Sequence, residues 1–241
     1  MFLFSFFERS HIHTRYSKDS ILNKYFILIM CKIKGIKLLA ITDHNEIKGA
    51  LKYSKFLKKH NIDVIIGEEI MTNCGEIIGL FLTKRIEPNL SVEETINLIK
   101  EQDGLIYLPH PYDEKRYKTV LNKDEQLKFK SCFDFVEIHN GRNIKKEYSL
   151  NQKKRQKMIG ATRIVGSDAH VFFELGRNYI LMEYNGKDSF IKDVEAGKVH
   201  KADCIMFAHF CTKIARVITM IEKGDLSGIY RIIVRGRREK K

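Results

Sequence analysis

The chain has no tryptophan, three prolines and, among its five cysteines, no CxxC pair. Cys31, Cys74, Cys132, Cys204 and Cys211 are odd in number and irregularly spaced, which argues against a disulfide framework and for reduced thiols in a cytoplasm. No run is long and apolar enough to span a bilayer, because lysines 24, 32, 34 and 37 interrupt the most apolar stretch, Ile21 to Ile41. That stretch reads instead as a buried helix around Tyr25 to Ile33, then Gly35, then a strand. The start, Met1 to Phe7, has no basic residue ahead of its apolar run and no small-residue cleavage site, so no secretory signal is expected. Internal repeats and low-complexity linkers are also missing. Negative charge is in deficit: 30 Asp plus Glu stand against 43 Lys plus Arg, a net +13. Much of that excess lies in residues 145–157 and in the tail Arg231 to Lys241. Such a field attracts polyanions and raises their encounter rate, which keeps short RNA or DNA among the candidate partners. The tail, however, lacks the interleaved aromatics of a single-strand platform.

At 241 residues and 44% apolar, the chain can form one large domain with an appendage. Hydrophobic periodicity predicts helices near 47–60, 91–102, 144–159 and 187–196, with Ser91 and Glu94 forming a capping box. Strands are expected near 37–42, 62–67, 76–82, 105–108, 134–138, 163–166 and 179–183. This alternation implies parallel pairing through helical crossovers. Residues 1–200 read as one domain and 201–241 as a helical, basic extension, with an apolar helix-compatible stretch at 205–222. The charged stretch 112–131 reads as a lid or loop over a site.

Metal-ligating side chains recur where strands end. In Ser-His-Ile-His-Thr, His11 and His13 are two apart, so on an extended strand both imidazoles leave one face. Lys37-Leu38-Leu39-Ala40-Ile41 is an apolar run followed at once by Thr42-Asp43-His44-Asn45. The arrangement repeats with Glu69 after 63–67, His110 after 105–109, and Asp168 and His170 after 163–167. Five strands thus deliver such groups from one edge, as at the carboxyl face of an α/β barrel.

The segments 11–20, 35–45 (Gly-Ile-Lys-Leu-Leu-Ala-Ile-Thr-Asp-His-Asn), 66–72, Pro-His-Pro-Tyr-Asp (109–113), 137–143 and Gly-Ser-Asp-Ala-His (166–170) resemble, in order, the motifs of the polymerase and histidinol phosphatase (PHP) superfamily. The resemblance spans about residues 10–200. It implies an α/β fold, a distorted (β/α)7 TIM-like barrel with a short C-terminal extension, holding two or three divalent ions: zinc, manganese or iron, with magnesium also acceptable. By the same resemblance His11, His13, Glu69 and Asp168 hold one metal, Glu69 bridges to a second that His110 helps hold, and Asp19, His44 and His170 hold a third. Two departures stand out. Arg9 occupies a position where the family usually has an acid, so a supporting partner of the histidine pair is expected to be missing, and a mistaken start is one explanation. Glu76 stands near where many members carry histidine, and as an oxygen ligand it would favour harder ions such as manganese or magnesium.

A paired-ion site lowers the pKa of a bridging water and stabilises charge on phosphoryl oxygens, so no protein nucleophile is required. Arg142 is the strongest candidate to orient phosphate, since similar sequences carry arginine there, and Arg15 and Arg177 are further candidates. His139 reads as a supporting or packing residue, and His60, His200 and His209 as ordinary positions. The expected activity is hydrolysis of phosphomonoesters of a small molecule or nucleotide, with no membrane partner. The alternatives are an exonuclease on short RNA or DNA, and a catalytically degraded nucleic-acid-binding or scaffold module.

Overall fold

The computed structural model describes residues 5–7, 11–222 and 224. Arg9 and the basic tail, Arg231 to Lys241, lie outside the described residues.

The strands are β1 (Ser5–Phe7), β2 (Ile36–His44), β3 (Asp63–Thr72), β4 (Gly75–Leu80), β5 (Leu105–Leu108), β6 (Phe135–Asn140), β7 (Thr162–Gly166), β8 (Tyr179–Met182) and β9 (Lys198–His200). The helices are α1 (Lys24–Lys34), α2 (Lys48–Lys58), α3 (Val92–Glu101), α4 (Lys123–Lys128), α5 (Lys146–Ile159), α6 (Phe190–Ala196) and α7 (Met206–Glu222). The strands form one sheet in the order β7-β6-β5-β4-β3-β2-β1-β8-β9. It curls far enough that Ile12, just past β1, bridges Ala169, just past β7. Residues 11–13 are wedged there, with Thr42 N–H donating to the Ile12 carbonyl, His13 N–H to that of Ala169 and Asp168 N–H to that of His11.

Alternation of strands and helices holds for most of the chain, but pairing is not uniformly parallel. β4 runs antiparallel to both β3 and β5, and β8 is antiparallel to β1 and β9. The reason is local: β3 and β4 are joined by a tight turn at Asn73 and Cys74, too short for a crossover helix. The strand expected over 62–67 in fact continues to Thr72, because Glu68 and Glu69, which look like a polar stop, are both in register between β2 and β4.

Side chains alternate across each strand. The inward face starts apolar: Leu38 and Ala40 on β2, Ile65 on β3, Ile78 and Leu80 on β4 and Phe135 on β6 share one core cluster. Two or four residues further toward the cluster end, the same faces carry His44, Glu69, Glu76 and Glu137, all but His44 buried. The outward faces pack on helices: Leu39 and Ile41 meet Ile27 and Cys31 of α1 and Ala50, Tyr53 and Leu57 of α2. Ile77 and Ile106 meet Val92, Ile96 and Ile99 of α3, whose N-terminus carries the expected Ser91–Glu94 capping box. The α1 helix is not the buried helix that its composition suggests. Only Ile27 and Cys31, one turn apart, are buried, while Tyr25, Ile29 and Ile33 are exposed, because one narrow stripe meets the sheet.

No helix of the described residues is long and apolar enough to cross a membrane.

Candidate metal centre

The cluster is built on strand ends and on three left-handed backbone turns. Asn45, His110 and Asp168, following β2, β5 and β7, have φ of 52°, 29° and 53°. Non-glycine residues seldom adopt such angles, and where they persist the surroundings hold them. Here the Asp168 and His110 amides are tied to the His11 carbonyl and the Glu137 carboxylate.

Glu69 lies at the centre. Its Oε1 is 3.0 Å from His110 Nε2 and 3.2 Å from His11 Nε2, and its Oε2 is 3.0 Å from His44 Nδ1 and 3.3 Å from His13 Nε2. The pairing of His44 with Glu69 in the β2–β3 ladder explains why they meet. Glu76 joins from the same face of the β3–β4 hairpin, two pairs along, with its oxygens 3.5 Å from His44 Nδ1 and from His110 Nε2. Asp168 Oδ1 is 3.4 Å from His13 Nε2, and Asp19 Oδ1 is 3.4 Å from His170 Nε2. The His13 ring packs 4.3 Å from both the His44 and His170 rings.

The surrounding hydrogen bonds select the tautomers. Ser17 donates its hydroxyl to Asp43 and therefore accepts from His13 Nδ1–H, which leaves the Nε2 lone pair facing the cluster. His11 Nδ1–H faces Glu137, and His170 Nδ1–H donates to the Asp168 carbonyl, so both rings also offer Nε2. Arg9, where the family's acid would stand, lies outside the described residues, and the histidine pair is supported by other acids: Glu137 serves His11, and Asp43 serves His13 through Ser17. Two glycines make room for these acids. A Cβ at Gly166 would lie 1.5 Å from Glu137 Oε1, and one at Gly49 would lie 2.2 Å from Asp43 Oδ2.

The donor set fits divalent cations. His11 Nε2 and His13 Nε2 are 3.0 Å apart with their Nδ1 protons already committed, an arrangement two lone pairs tolerate only around a shared positive centre. Asp19 Oδ1 and Glu69 Oε2 are buried without a hydrogen-bond donor, a cost that a cation would relieve. Four overlapping groups have ligand atoms within 4.8 Å of one another: His11–Glu69–His110, His11–His13–Asp168, His13–His44–His170 and His44–Glu69–Glu76. Partial burial opposes protonation of His44, but the Glu69 carboxylate overrides it and lifts the ring to about 10, whereas burial and the Arg142 charge push His170 down to about 3. Burial also raises Glu76, with Glu69 adding to it, so two carboxylates this close need positive charge to ionise together.

A cavity of about 470 Å³ opens over the cluster. Residues 113–119, from the charged stretch read as a lid, form one wall; α7 forms another. Arg142 is buried in the cavity lining, with Nη2 2.6 Å from Thr212 Oγ1 and Nε 3.5 Å from Glu174 Oε1. Arg15 and Arg177 are not brought here. Arg15 is exposed, and Arg177 donates to the Asp203 carbonyl, pinning the segment after β9. His139 packs away from the cluster, facing Ser149 and the Ala202 carbonyl. His209 departs from its reading as an ordinary position: it lines the cavity 3.5 Å from Arg142.

Sequence reasoning missed Arg116, whose guanidinium pairs with Asp168 and, at 3.3 Å, with Asp113. It also missed Glu137, Asp43 and Glu174. Glu137 sits in a quoted motif two residues before His139, and its position on the inward face of β6 was the available signal. Arg116 carried none beyond belonging to a charged stretch.

A curled α/β sheet with imidazoles and carboxylates converging at one end defines an α/β protein with a candidate metal site. The comparisons name the family: the PHP domain matches residues 9–194, and the chain belongs to it. Two uncharacterized proteins of Methanocaldococcus jannaschii are similar. MJ1587 is 50% identical over 112 residues, covering 42% of this chain and 66% of its own length. MJ0417 is 38% identical over 172 residues, covering 70% and 68%. The chain thus spans about two thirds of the length of these relatives. A two-domain protein from Bacteroides vulgatus, containing a predicted PHP-like metal-dependent phosphoesterase, shares the fold with a TM-score of 0.65 at 16% identity, over 79% of this chain and 63% of that one.

Proposed function

We propose that this protein is a metal-dependent phosphoesterase that hydrolyses phosphomonoesters of a small molecule or nucleotide. The observation that carries the reading is Glu69 ringed by four imidazoles beneath a cavity whose walls present Arg116 and Arg142. His11, His13, Asp19, His44, Glu69, Glu76, His110, Asp168 and His170 would hold two or three divalent ions, which when bound supply Lewis acidity and a water of lowered pKa. Arg142 presents a fork that matches two phosphoryl oxygens, and Glu174 beside its Nε attracts that fork by charge. Arg116, fixed by Asp113 and Asp168, adds positive charge where the dianionic group would sit. The same reading takes the curled sheet as the distorted seven-stranded barrel, closed where residues 11–13 meet 168–169, and the five free thiols as suited to the cytoplasm.

The test is a screen of phosphomonoesters, nucleoside bisphosphates and short oligonucleotides with purified, manganese-loaded protein. Turnover of monoesters above oligonucleotides is expected. Preference for oligonucleotides with a steep loss on adding salt would replace the reading with an exonuclease. Metal retention without any turnover would favour a degraded binding module.

A further inference from the structure

The helix α7 begins at Met206, beyond the residues 9–194 that match the family model, yet it forms one side of the cavity. Its inward stripe, Ala208, Thr212 and Ala215, follows helical spacing and is buried. Thr212 of that stripe, and the half-exposed Arg216 beside it, reach the candidate metal and phosphate groups themselves. Arg216 Nη2 lies 2.9 Å from Asp19 Oδ2, while Asp19 Oδ1 faces His170 at 3.4 Å and has no hydrogen-bond donor. Thr212 donates its hydroxyl to the Ala208 carbonyl at 2.9 Å, so the oxygen that accepts from Arg142 Nη2 at 2.6 Å has a fixed orientation.

We propose that α7 is an active-site wall, in which Arg216 is a positioning residue for the metal ligand Asp19 and Thr212 a positioning residue for Arg142. The division of labour at Asp19 is geometric: one oxygen is engaged by the guanidinium, and the carboxylate is thereby turned so that the other faces the His44 and His170 rings. Outer partners of this kind orient a ligand and are commonly worth ~10–100-fold in metal affinity. At Arg142, Thr212 of α7 anchors Nη2 by a hydrogen bond, while the Glu174 carboxylate on a β7-side loop, 3.5 Å from Nε, attracts the guanidinium by charge. Loss of either contact lets the fork rotate off the phosphoryl oxygens.

The inference rests on the phosphoesterase reading for Arg142 but not for Asp19, and the experiment separates them. Full-length, manganese-loaded Arg216→Gln and Arg216→Lys proteins are challenged with graded chelator, and retained manganese is measured by elemental analysis. The glutamine variant should release its most weakly held ion at ~10–100-fold lower chelator than the parent, with lysine recovering part of the difference. Thr212→Val should keep its metal and lose ~10–100-fold in kcat on an aryl phosphate with KM little changed, and Thr212→Ser should restore it. Unaltered metal retention and kcat in Arg216→Gln and Thr212→Val, with only the melting temperature lowered, would overturn the proposal and leave α7 a packing element. If the parent hydrolyses no phosphoester, the proposed function fails, and the chelator series still decides the role of Arg216.

Discussion

Glu68 and Glu69 are consecutive, both are buried, and the two faces of β3 treat them in opposite ways. On the inward face, burial alone would raise Glu69, but the neighbouring His11 and His44 rings hold it well below the usual carboxylate range. On the outward face, Glu68 accepts a single bond from the Ile86 amide at 2.9 Å, its Oε1 has no donor, and burial pushes it up to about 8. Removal from water is therefore not what makes a carboxylate a ligand. Partners that favour the ionised form decide it, and the strand period distributes them to one face only.

The largest effect that would break this contrast comes from the inward carboxylate. Glu69→Gln keeps the volume but removes the charge that four imidazoles share, and should lower kcat/KM on an aryl phosphate by roughly 10³-fold or more, with metal lost to dialysis. Parent-like turnover in that variant would remove the metal assignment. Arg142→Ala comes next, at about 2–4 kcal/mol of transition-state stabilisation, and Arg142→Lys should recover little because a point charge does not reproduce a fork. A change confined to the melting temperature would make Arg142 structural. Glu76→His exchanges an oxygen donor for a nitrogen and should move the preferred activating metal from manganese toward zinc, so an identical metal profile would dismiss Glu76 as a ligand.

The smallest effect belongs to Glu68. Its folded pKa of about 8 lies above its ordinary value of 4.5, so folding favours the protonated form. The parent should lose stability as pH rises from about 4.5 to about 8 and then level off, and Glu68→Gln should flatten that slope without altering activity. Denaturant melts of both proteins at pH 5 and pH 8 measure the difference, and parallel slopes would contradict it.

Much of the site was legible because its groups are local in sequence. His11 with His13, the Thr42–Asn45 segment and Gly166–His170 each join an apolar run to ligand-type side chains, a pattern that strand geometry makes informative on its own. Glu137 and Asp43 were harder to assign, since a buried acid that orients a histidine looks no different in sequence from one that binds a cation. The wall residues Arg116, His209, Thr212 and Arg216 carried no local signal. They act through contacts spanning up to 197 positions, as Arg216 does with Asp19.

The sequence by itself determined the alternation of strands and helices and the ligand types at the strand ends, because both follow from short-range periodicity and chemistry. Only the tertiary structure decided that β4 would run antiparallel, that Glu137 and Asp43 would set the histidine tautomers, and that α7 would form a wall of the cavity. Those outcomes depend on which distant backbones come to lie side by side, and no local pattern encodes that.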